Sequence, residues 1–318
     1  MLVVALTLSG CNVISMVART GGELTEKIHP ADTRGCRIED VFYTSDGVKV
    51  AGWIIRPEKA GAYPLLMLNH GYTYGILEQR YFDRGTSPFI YRGCRVARRG
   101  YVVFVSHYRG FGASEGTQTF GPGEVRDVLA AIELMKRKPY VDPGRIAVVG
   151  ESEGGMISLF VASKRSDITC VAVVSAPVEM TRLFESLPRW MEKLAAVPGL
   201  YDAIGGTPEE APQEYRKRSA LYKARHISCP VLVIHGMDDP IVPVEQAYLL
   251  IDELARAGIA SESLIIPDAS HGIFTGRSKS ESDSGGQSSE EAHWDSLSHL
   301  VWERIDEFLD RHLLTECR

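Results

Sequence analysis

Short apolar runs recur along the chain and alternate with stretches in which apolar residues have helical spacing. Val41–Ser45 and Val48–Arg56, joined by Asp46-Gly47, predict a β-hairpin with a tight turn. Six further runs rich in Val, Ile and Leu predict strands buried on both faces: Leu65–Leu68, Tyr101–Val105, Ile146–Val149, Cys170–Val174, Val231–Ile234 and Ser263–Ile266. Helical spacing is found at 88–99, 124–138, 153–164, 244–257 and 291–313. The alternation predicts an α/β fold, with a mostly parallel central sheet flanked by helices.

Two segments break this alternation. The connection at about 176–228 is far longer than a usual link between strands and contains an apolar helical patch, which predicts a helical cap inserted over the sheet edge. The segment at about 276–290, GRSKSESDSGGQSSE, contains six serines and no apolar side chain. Because such a segment has no apolar surface to bury, we expect a mobile polar loop. The remainder, 36–318, is predicted to form one domain around these two insertions.

The N-terminus carries a different signal. The chain opens MLVVALTLSGCN, without a charged residue before Arg19. Leu8–Cys11 resembles the lipobox of bacterial lipoproteins, in which the cysteine becomes the lipidated first residue of the mature chain. The apolar stretch is short and no Lys or Arg precedes it; a start codon placed too far downstream would explain both features. The alternative is the frayed apolar N-terminus of a cytoplasmic enzyme.

We therefore predict a lipoprotein-type signal or anchor segment at 1–17 and a linker at 18–35. The corresponding location is the cell envelope, with membrane association through lipidated Cys11. A single acyl chain anchors weakly and several chains hold firmly.

Composition narrows the class of protein. The 318 residues are 44% hydrophobic and 24% charged, values typical of a soluble globular protein. A chain of this length builds a core without metal or disulfide staples, and we expect no cofactor or metal. The net charge of −6 makes nucleic acid an unsuitable partner. Since the sequence has no run of eighteen apolar residues, it predicts no transmembrane helix.

The six cysteines form neither a disulfide framework nor a zinc pattern, because no C-x₂-C pair occurs. Cys170 and Cys229 lie in or beside apolar runs and are predicted to pack in the core. Cys36, Cys94 and Cys317 carry no readable signal, so the sequence indicates no disulfide pairing.

The pattern G-x-S-x-G occurs twice, around Ser114 and around Ser152. It marks a strained turn that lifts a serine hydroxyl above a sheet, with glycines where neighbouring segments pass closely. Ser152 comes just after the strand predicted at Ile146–Val149 and just before the helical segment 153–164. Ser114 lies several residues past its strand and is followed by TQTFGPG, which cannot be a helix. Ser152 is therefore the predicted nucleophile, and Ser114 is a loop residue.

A serine hydroxyl needs a general base, and the base needs an orienting carboxylate. His271 follows the last predicted strand, in a loop over the carboxyl edge of the sheet. Asp238 and Asp239 lie just beyond the preceding strand. Ligands of open parallel sheets bind at this edge, so a serine, an aspartate and a histidine are predicted to meet there. The other histidines considered are predicted to be structural or on the surface: His70, His235, His293, His299 and His312.

From about 38 to 313 the chain resembles an α/β-hydrolase, and is most similar to the catalytic domains of the prolyl oligopeptidase family and related serine esterases. The motifs are NHGY at 69–72, YRGFGASEG at 108–116, GESEGG at 150–155, GGTP at 205–208 with YRKRS at 215–219, and HGMDDPIVP at 235–243. The chain order serine, aspartate, histidine is that of the fold. The resemblance implies that Asp239 is the catalytic carboxylate. It also implies an oxyanion hole formed by the backbone N–H groups of Tyr72 and Glu153.

Three features differ from the family pattern. Only about forty residues precede the predicted sheet, which leaves no room for the propeller that peptidases of this family usually carry. Tyr72 replaces the second glycine of the common His-Gly-Gly loop. Glu151 and Glu153 flank the nucleophile, either as solvated turn side chains or to repel anionic substrates. These features favour ester cleavage over peptide cleavage.

The sequence thus predicts a serine hydrolase that cleaves carboxylic esters through an acyl-enzyme. The first alternative is a serine peptidase or amidase of the prolyl oligopeptidase type acting on small peptides. The second is a lipid-anchored binding protein whose triad is misaligned by the cap. The predicted partner is accordingly a small-molecule ester or a short peptide.

Overall fold

A computed structural model of the chain describes residues 33–72, 82, 87–187, 196–274 and 289–314. The segments predicted as signal, most of the linker and most of the polar loop at 276–290 lie outside the described residues. None of the helices in the described part of the chain is both long and apolar enough to cross a bilayer.

Eight strands form a single sheet in the order β1-β2-β4-β3-β5-β6-β7-β8. The pairs β1–β2 and β2–β4 are antiparallel, and all other pairs are parallel. The strands are β1 (Cys36–Ser45), β2 (Val48–Pro57), β3 (Tyr63–Asn69), β4 (Val102–Ser106), β5 (Val141–Glu151), β6 (Cys170–Val174), β7 (Val231–Gly236) and β8 (Ser261–Ile266). This is the architecture of the α/β-hydrolase fold, as the sequence predicted.

The helices follow the predicted alternation. They are α1 (Pro88–Arg98), α2 (Pro122–Lys136), α3 (Glu153–Lys164), α4 (Met180–Ser186), α5 (Ala196–Ile204), α6 (Pro212–Arg218), α7 (Glu245–Arg256) and α8 (Ser289–Leu309). Short 3₁₀ segments occupy Ala220–His226 and His271–Ile273, and a π-helical turn follows α8 at Asp310–Leu314.

Alternate residues of each central strand enter two separate cores. On β3, Leu65 and Met67 belong to the core that includes residues of α2, α3 and α7, whereas Leu66 and Leu68 belong to the core that includes residues of α1 and α8. All four side chains are fully buried. A strand buried on both faces loses the polar–apolar alternation of a surface strand, which explains why the central strands are continuous apolar runs in the sequence. The prediction of burial on both faces is wrong for β8, whose Ser261 and Ser263 are exposed because this strand lies at the edge of the sheet.

The predicted hairpin is present, and its tight turn lies at Asp46-Gly47, as the sequence indicated. Asp46 and Gly47 both have positive φ, 48° and 78°, as a two-residue primed turn requires. The first strand begins five residues earlier than predicted, at Cys36, where it pairs with Pro57. Polar and apolar residues are mixed in this added part because β1 lies at the sheet edge, where the apolar pattern is weak.

The long connection between β6 and β7 is helical, as predicted. It contains α4, α5, α6 and the 3₁₀ segment Ala220–His226, and positions 188–195 within it lie outside the described residues. Its final segment packs against α3 and α7. The Ser219 hydroxyl accepts the N–H of Met180 at 2.9 Å, so the two ends of the connection are held together.

The sequence did not indicate the disulfide between Cys36 and Cys94. It ties the first residue of β1 to α1, and the two cysteines are 58 positions apart in the chain. Such a pairing depends on the packing of α1 beside the sheet edge and leaves no trace in local spacing. Cys170 and Cys229 are free and buried, which confirms their predicted place in the core.

Candidate active site

Ser152 lies at the junction between β5 and α3. Its φ is +51°, which is a strained conformation for a residue other than glycine. The turn is fixed by the Ser152 N–H, which donates to the carbonyl of Val174 on the neighbouring strand at 2.9 Å. A sharp turn from strand to helix is the geometry that exposes a serine hydroxyl at the edge of the sheet.

The glycines around Ser152 are required by close backbone contacts. A Cβ atom at Gly154 would lie 2.3 Å from the carbonyl oxygen of Asn69, and one at Gly150 would lie 2.2 Å from the carbonyl oxygen of Gly154. These neighbours are backbone atoms, which do not move aside at small cost. The end of β3 and the start of α3 are therefore in direct contact.

The loop after β3 lies directly against the nucleophile turn. A Cβ atom at Gly71 would be 3.1 Å from Cβ of Ser152. Tyr72, whose N–H is the predicted first oxyanion donor, is the next residue. The second predicted donor, Glu153, begins α3, and the positive end of this helix favours negative charge at the same place.

His271 and Asp239 are brought together at the carboxyl ends of β7 and β8. Nδ1 of His271 lies 2.7 Å from Oδ2 of Asp239. The other carboxylate oxygen accepts the N–H groups of Ile241 and Val242, each at 2.9 Å. The loop that carries His271 crosses the end of β7 so closely that a Cβ atom at Gly236 would lie 2.3 Å from the carbonyl oxygen of Ala269.

The charges of this pair support each other. Burial alone would raise the pKa of Asp239, but His271, together with hydrogen bonds from His235 and Val242, lowers it below its usual value. Burial alone would lower the pKa of His271, but Asp239, with a further contribution from Glu151, raises it above its usual value. Because Asp239 accepts at Nδ1, the proton of neutral His271 is fixed on that atom and Nε2 is left as the base.

The competing sequence candidates are placed elsewhere. Ser114 lies in a turn, and its hydroxyl accepts the N–H of Ala51 at 3.0 Å. Asp238 is exposed, whereas Asp239 is 6% exposed and faces His271. The structure thus gives Ser114 a bond within the fold and places the carboxylate of Asp239 against the imidazole.

The two glutamates that flank Ser152 are buried, so the interpretation of solvated turn side chains is wrong. Glu151 is 9% exposed and Glu153 is 1% exposed. Burial raises the pKa of Glu151 to about 7, against opposing effects of His271, Gly71 and Arg92. Burial, with repulsion from Glu124, raises the pKa of Glu153 well above its usual value. Gly71, in the loop after β3, packs against Glu151, and both glutamate side chains are enclosed by protein.

Sequence reasoning assigned His235 to packing, and the structure places it beside the acid. Its Nε2 lies 2.8 Å from the carbonyl oxygen of Val242 and 3.5 Å from Oδ2 of Asp239. The sequence offered one usable signal: His235 and Asp239 stand four positions apart across the turn after β7. His70, the other histidine assigned to packing, is fully buried, and burial lowers its pKa to about 4.

Within the described residues, no group of three His, Cys, Asp or Glu side chains is placed to hold a metal ion. The site consists of a serine on a strained turn, a partly exposed histidine paired with a buried carboxylate, and two backbone donors predicted on adjacent segments. An α/β-hydrolase fold with these elements defines a serine hydrolase. Residues 91–284, more than half of the chain, match the prolyl oligopeptidase family, peptidase S9. The chain belongs to this family.

Proteins that are similar in sequence to this chain are named as peptidases. The uncharacterized peptidase YtmA of Bacillus subtilis is 29% identical over 231 residues, which cover 71% of this chain and 83% of that protein. Dipeptidyl-peptidase 5 of Porphyromonas gingivalis is 26% identical over 247 residues, or 73% of this chain. The matched part is only 34% of that peptidase, so the chain spans about a third of its length.

Solved structures show the same fold. Acylaminoacyl peptidase of Pyrococcus horikoshii has a TM-score of 0.66 at 21% identity and is matched over 88% of this chain and 42% of its own. An esterase of Pyrococcus furiosus has a TM-score of 0.64 at 22% identity, over 89% of this chain and 94% of its own. The fold therefore occurs both in a peptidase and in an esterase.

Proposed function

We propose that this serine hydrolase cleaves carboxylic esters through an acyl-enzyme formed on Ser152. The observation that carries the proposal is the 2.7 Å contact between His271 Nδ1 and Asp239 Oδ2, at the same sheet edge as the strained turn of Ser152. An imidazole base oriented by a buried carboxylate is what a serine hydroxyl needs to become a nucleophile.

Each residue has a distinct role in this proposal. Oγ of Ser152 attacks the acyl carbonyl while Nε2 of His271 takes its proton, and Asp239 stabilises the imidazolium that forms. The N–H groups of Tyr72 and Glu153 donate to the oxyanion of the tetrahedral intermediate. His271 then returns the proton to the leaving group, and a water activated by the same histidine releases the acyl group.

Cleavage of small peptides is the second candidate, and the names of the relatives favour it. YtmA, matched over 83% of its length, is described as a peptidase. The chemistry of the two reactions differs chiefly at the leaving group, because an amine must be protonated by His271 as it departs. The alkoxide or phenolate of an ester leaves more readily than the amine of a peptide. A triad that is aligned for peptides therefore also hydrolyses activated esters.

A matched substrate panel distinguishes these candidates through its p-nitroanilides, because either candidate hydrolyses activated esters and only a peptidase favours the anilides. We expect short-chain p-nitrophenyl esters to be hydrolysed with a higher kcat/KM than any aminoacyl, dipeptidyl or Xaa-Pro p-nitroanilide. The measurement is initial absorbance rates over both series, with acyl groups matched where the chemistry allows. A dipeptidyl anilide with the higher kcat/KM would establish a peptidase instead. Absence of turnover and of fluorophosphonate labelling would leave the lipid-anchored binding protein.

We also infer that the protein is exported and anchored in the cell envelope of a bacterium through Cys11. Two independent observations support this location. Leu8–Cys11 resembles a lipobox, and Cys36 is joined to Cys94 by a disulfide, a bond that persists in oxidising compartments and is rare in the cytosol.

Expression in a Gram-negative host, with the native upstream region, tests this location. We expect the wild type in the membrane fraction with a fatty-acid label and Cys11→Ala without the label and released from the membrane. Alkylation followed by mass spectrometry should find Cys36 and Cys94 protected, and the buried free thiols of Cys170 and Cys229 alkylated after unfolding. A soluble cytoplasmic protein with residues 1–10 intact would contradict the proposal.

A further inference from the structure

Glu151 is a buried carboxyl group that the mechanism above does not use. It is the last residue of β5 and directly precedes Ser152. Its side chain is 9% exposed, although burial of a carboxyl group is costly unless neighbouring groups compensate. The contacts around it show which groups do so.

The first contact is with the loop that carries the predicted oxyanion donor. The carboxylate of Glu151 accepts the backbone N–H of Gly71. A Cβ atom at Gly71 would lie 3.7 Å from Cγ of Glu151 and 3.1 Å from Cβ of Ser152. Glu151, the loop that ends at Tyr72 and the nucleophile turn are therefore packed as one unit.

Two charged side chains among the described residues act on Glu151. The charges of His271, in the loop after β8, and of Arg92, on α1, both lower the pKa of Glu151. The guanidinium of Arg92 is itself held in place, since it donates to Oγ of Ser298 at 2.6 Å and lies over the ring of Trp302. Glu151 thus interacts electrostatically with a permanent positive charge and with the imidazole that becomes positive during the reaction.

Glu151 and His271 each affect the titration of the other. Burial raises the pKa of Glu151 to about 7, and the negative charge of Glu151 in turn raises the pKa of His271. When His271 accepts the proton of Ser152, the charged carboxylate stabilises the imidazolium. Loss of that charge should lower the pKa of His271 and make the base weaker.

We propose that Glu151 is a positioning residue, which holds the loop at Gly71 against the nucleophile turn and stabilises the charged form of His271. This inference rests on the proposed function, because it assigns to His271 the role of general base. It adds a second carboxylate that acts on His271, and this carboxylate lies on β5, the strand that leads to Ser152, rather than after β7.

The test is the pH dependence of active-site labelling in Glu151→Gln. Glutamine keeps an acceptor oxygen for the N–H of Gly71 but cannot carry charge. The probe is a fluorophosphonate, whose reaction with Ser152 depends on His271 as base and requires no knowledge of the substrate. We expect the acid limb of the rate profile to move to lower pH by about half a unit or more, and the plateau rate to fall by about three- to thirty-fold.

A merely structural role would lower the rate by the same factor at every pH, and this result would overturn the proposal. The matched control is Glu58→Gln, because Glu58 is exposed and follows β2 at the opposite edge of the sheet. Its profile should superimpose on that of the wild type. Failure of the wild type to label would instead refute the proposed function.

Thermal unfolding supplies a second measurement, which detects a folding defect. Because the pKa of Glu151 is raised on folding, its contribution to the stability of the wild type falls as the pH rises from about 4.5 through about 7, and Glu151→Gln lacks this contribution. The Tm of the variant relative to wild type should therefore increase across this range. A Tm difference that is constant with pH would overturn the proposal.

Discussion

Replacement of Ser152 by alanine should lower turnover by about 10⁴-fold or more, and replacement of His271 by alanine should cost a similar amount. The strained turn places the Ser152 hydroxyl at the sheet edge, and Asp239 fixes the proton of His271 on Nδ1 so that Nε2 remains a base. Since nucleophile and base act as a unit, the double variant should be scarcely slower than either single variant. The measurement is kcat on the best p-nitrophenyl ester, together with fluorophosphonate labelling.

Ser114→Ala is the matched control, because Ser114 stands in the second G-x-S-x-G pattern of the chain. Its hydroxyl accepts the N–H of Ala51, so its loss should reduce stability modestly and leave turnover within about tenfold. Circular dichroism should show that all the variants are folded. If Ser114→Ala abolished activity while folded Ser152→Ala retained it, the assignment of the nucleophile would be wrong.

Asp239→Asn should lower kcat by about 10³-fold or more, somewhat less than the loss of Ser152. An asparagine side chain that donates to Nδ1 favours the tautomer with the proton on Nε2, where the base is needed. The substitution also removes the carboxylate that raises the pKa of His271, so the acid limb of the remaining activity should move to lower pH. The pH profile of kcat/KM measures both effects.

Asp238→Asn provides the control for this prediction. Asp238 has the same chemistry and is next in the chain, but it is exposed, and the neighbouring carboxylate makes the bond to His271. Its replacement should leave kcat and the acid limb close to those of the wild type. A larger loss in Asp238→Asn than in Asp239→Asn would show that the catalytic carboxylate is Asp238.

The candidate site was predictable where local chemistry is specific. Glycines at 150, 154 and 155 around a serine, between an apolar run and a helical segment, indicated a strained turn. A Cβ atom at Gly150 or Gly154 would lie 2.2–2.3 Å from a backbone oxygen, so other residues do not fit at these two positions. The position of Asp239 beside His271 was expected only from family resemblance. Either neighbouring aspartate satisfied the pattern, and the choice depends on which side chain the turn after β7 directs inward.

The burial of the two glutamates that flank Ser152 was not predictable. A glutamate next to a turn is usually solvated, and nothing in the sequence near Glu151 or Glu153 indicates that distant segments cover them. Glu151 packs against Gly71, more than seventy positions away, and the charge of Glu124 on α2 acts on Glu153. Long-range packing, and not local composition, therefore decides that a carboxyl group faces the proposed base.

By itself, the sequence determined the elements of this protein: a hairpin, six further strands, the helices between them and a serine turn. Periodicity and turn residues are local properties, and they specify local structure. The tertiary structure alone decided that β4 lies between β2 and β3, that Cys36 meets Cys94, and that His235 and Glu151 surround the histidine–carboxylate pair. These outcomes depend on which distant segments pack together. The free energy of that packing is distributed over the whole core, so no single position in the sequence indicates it.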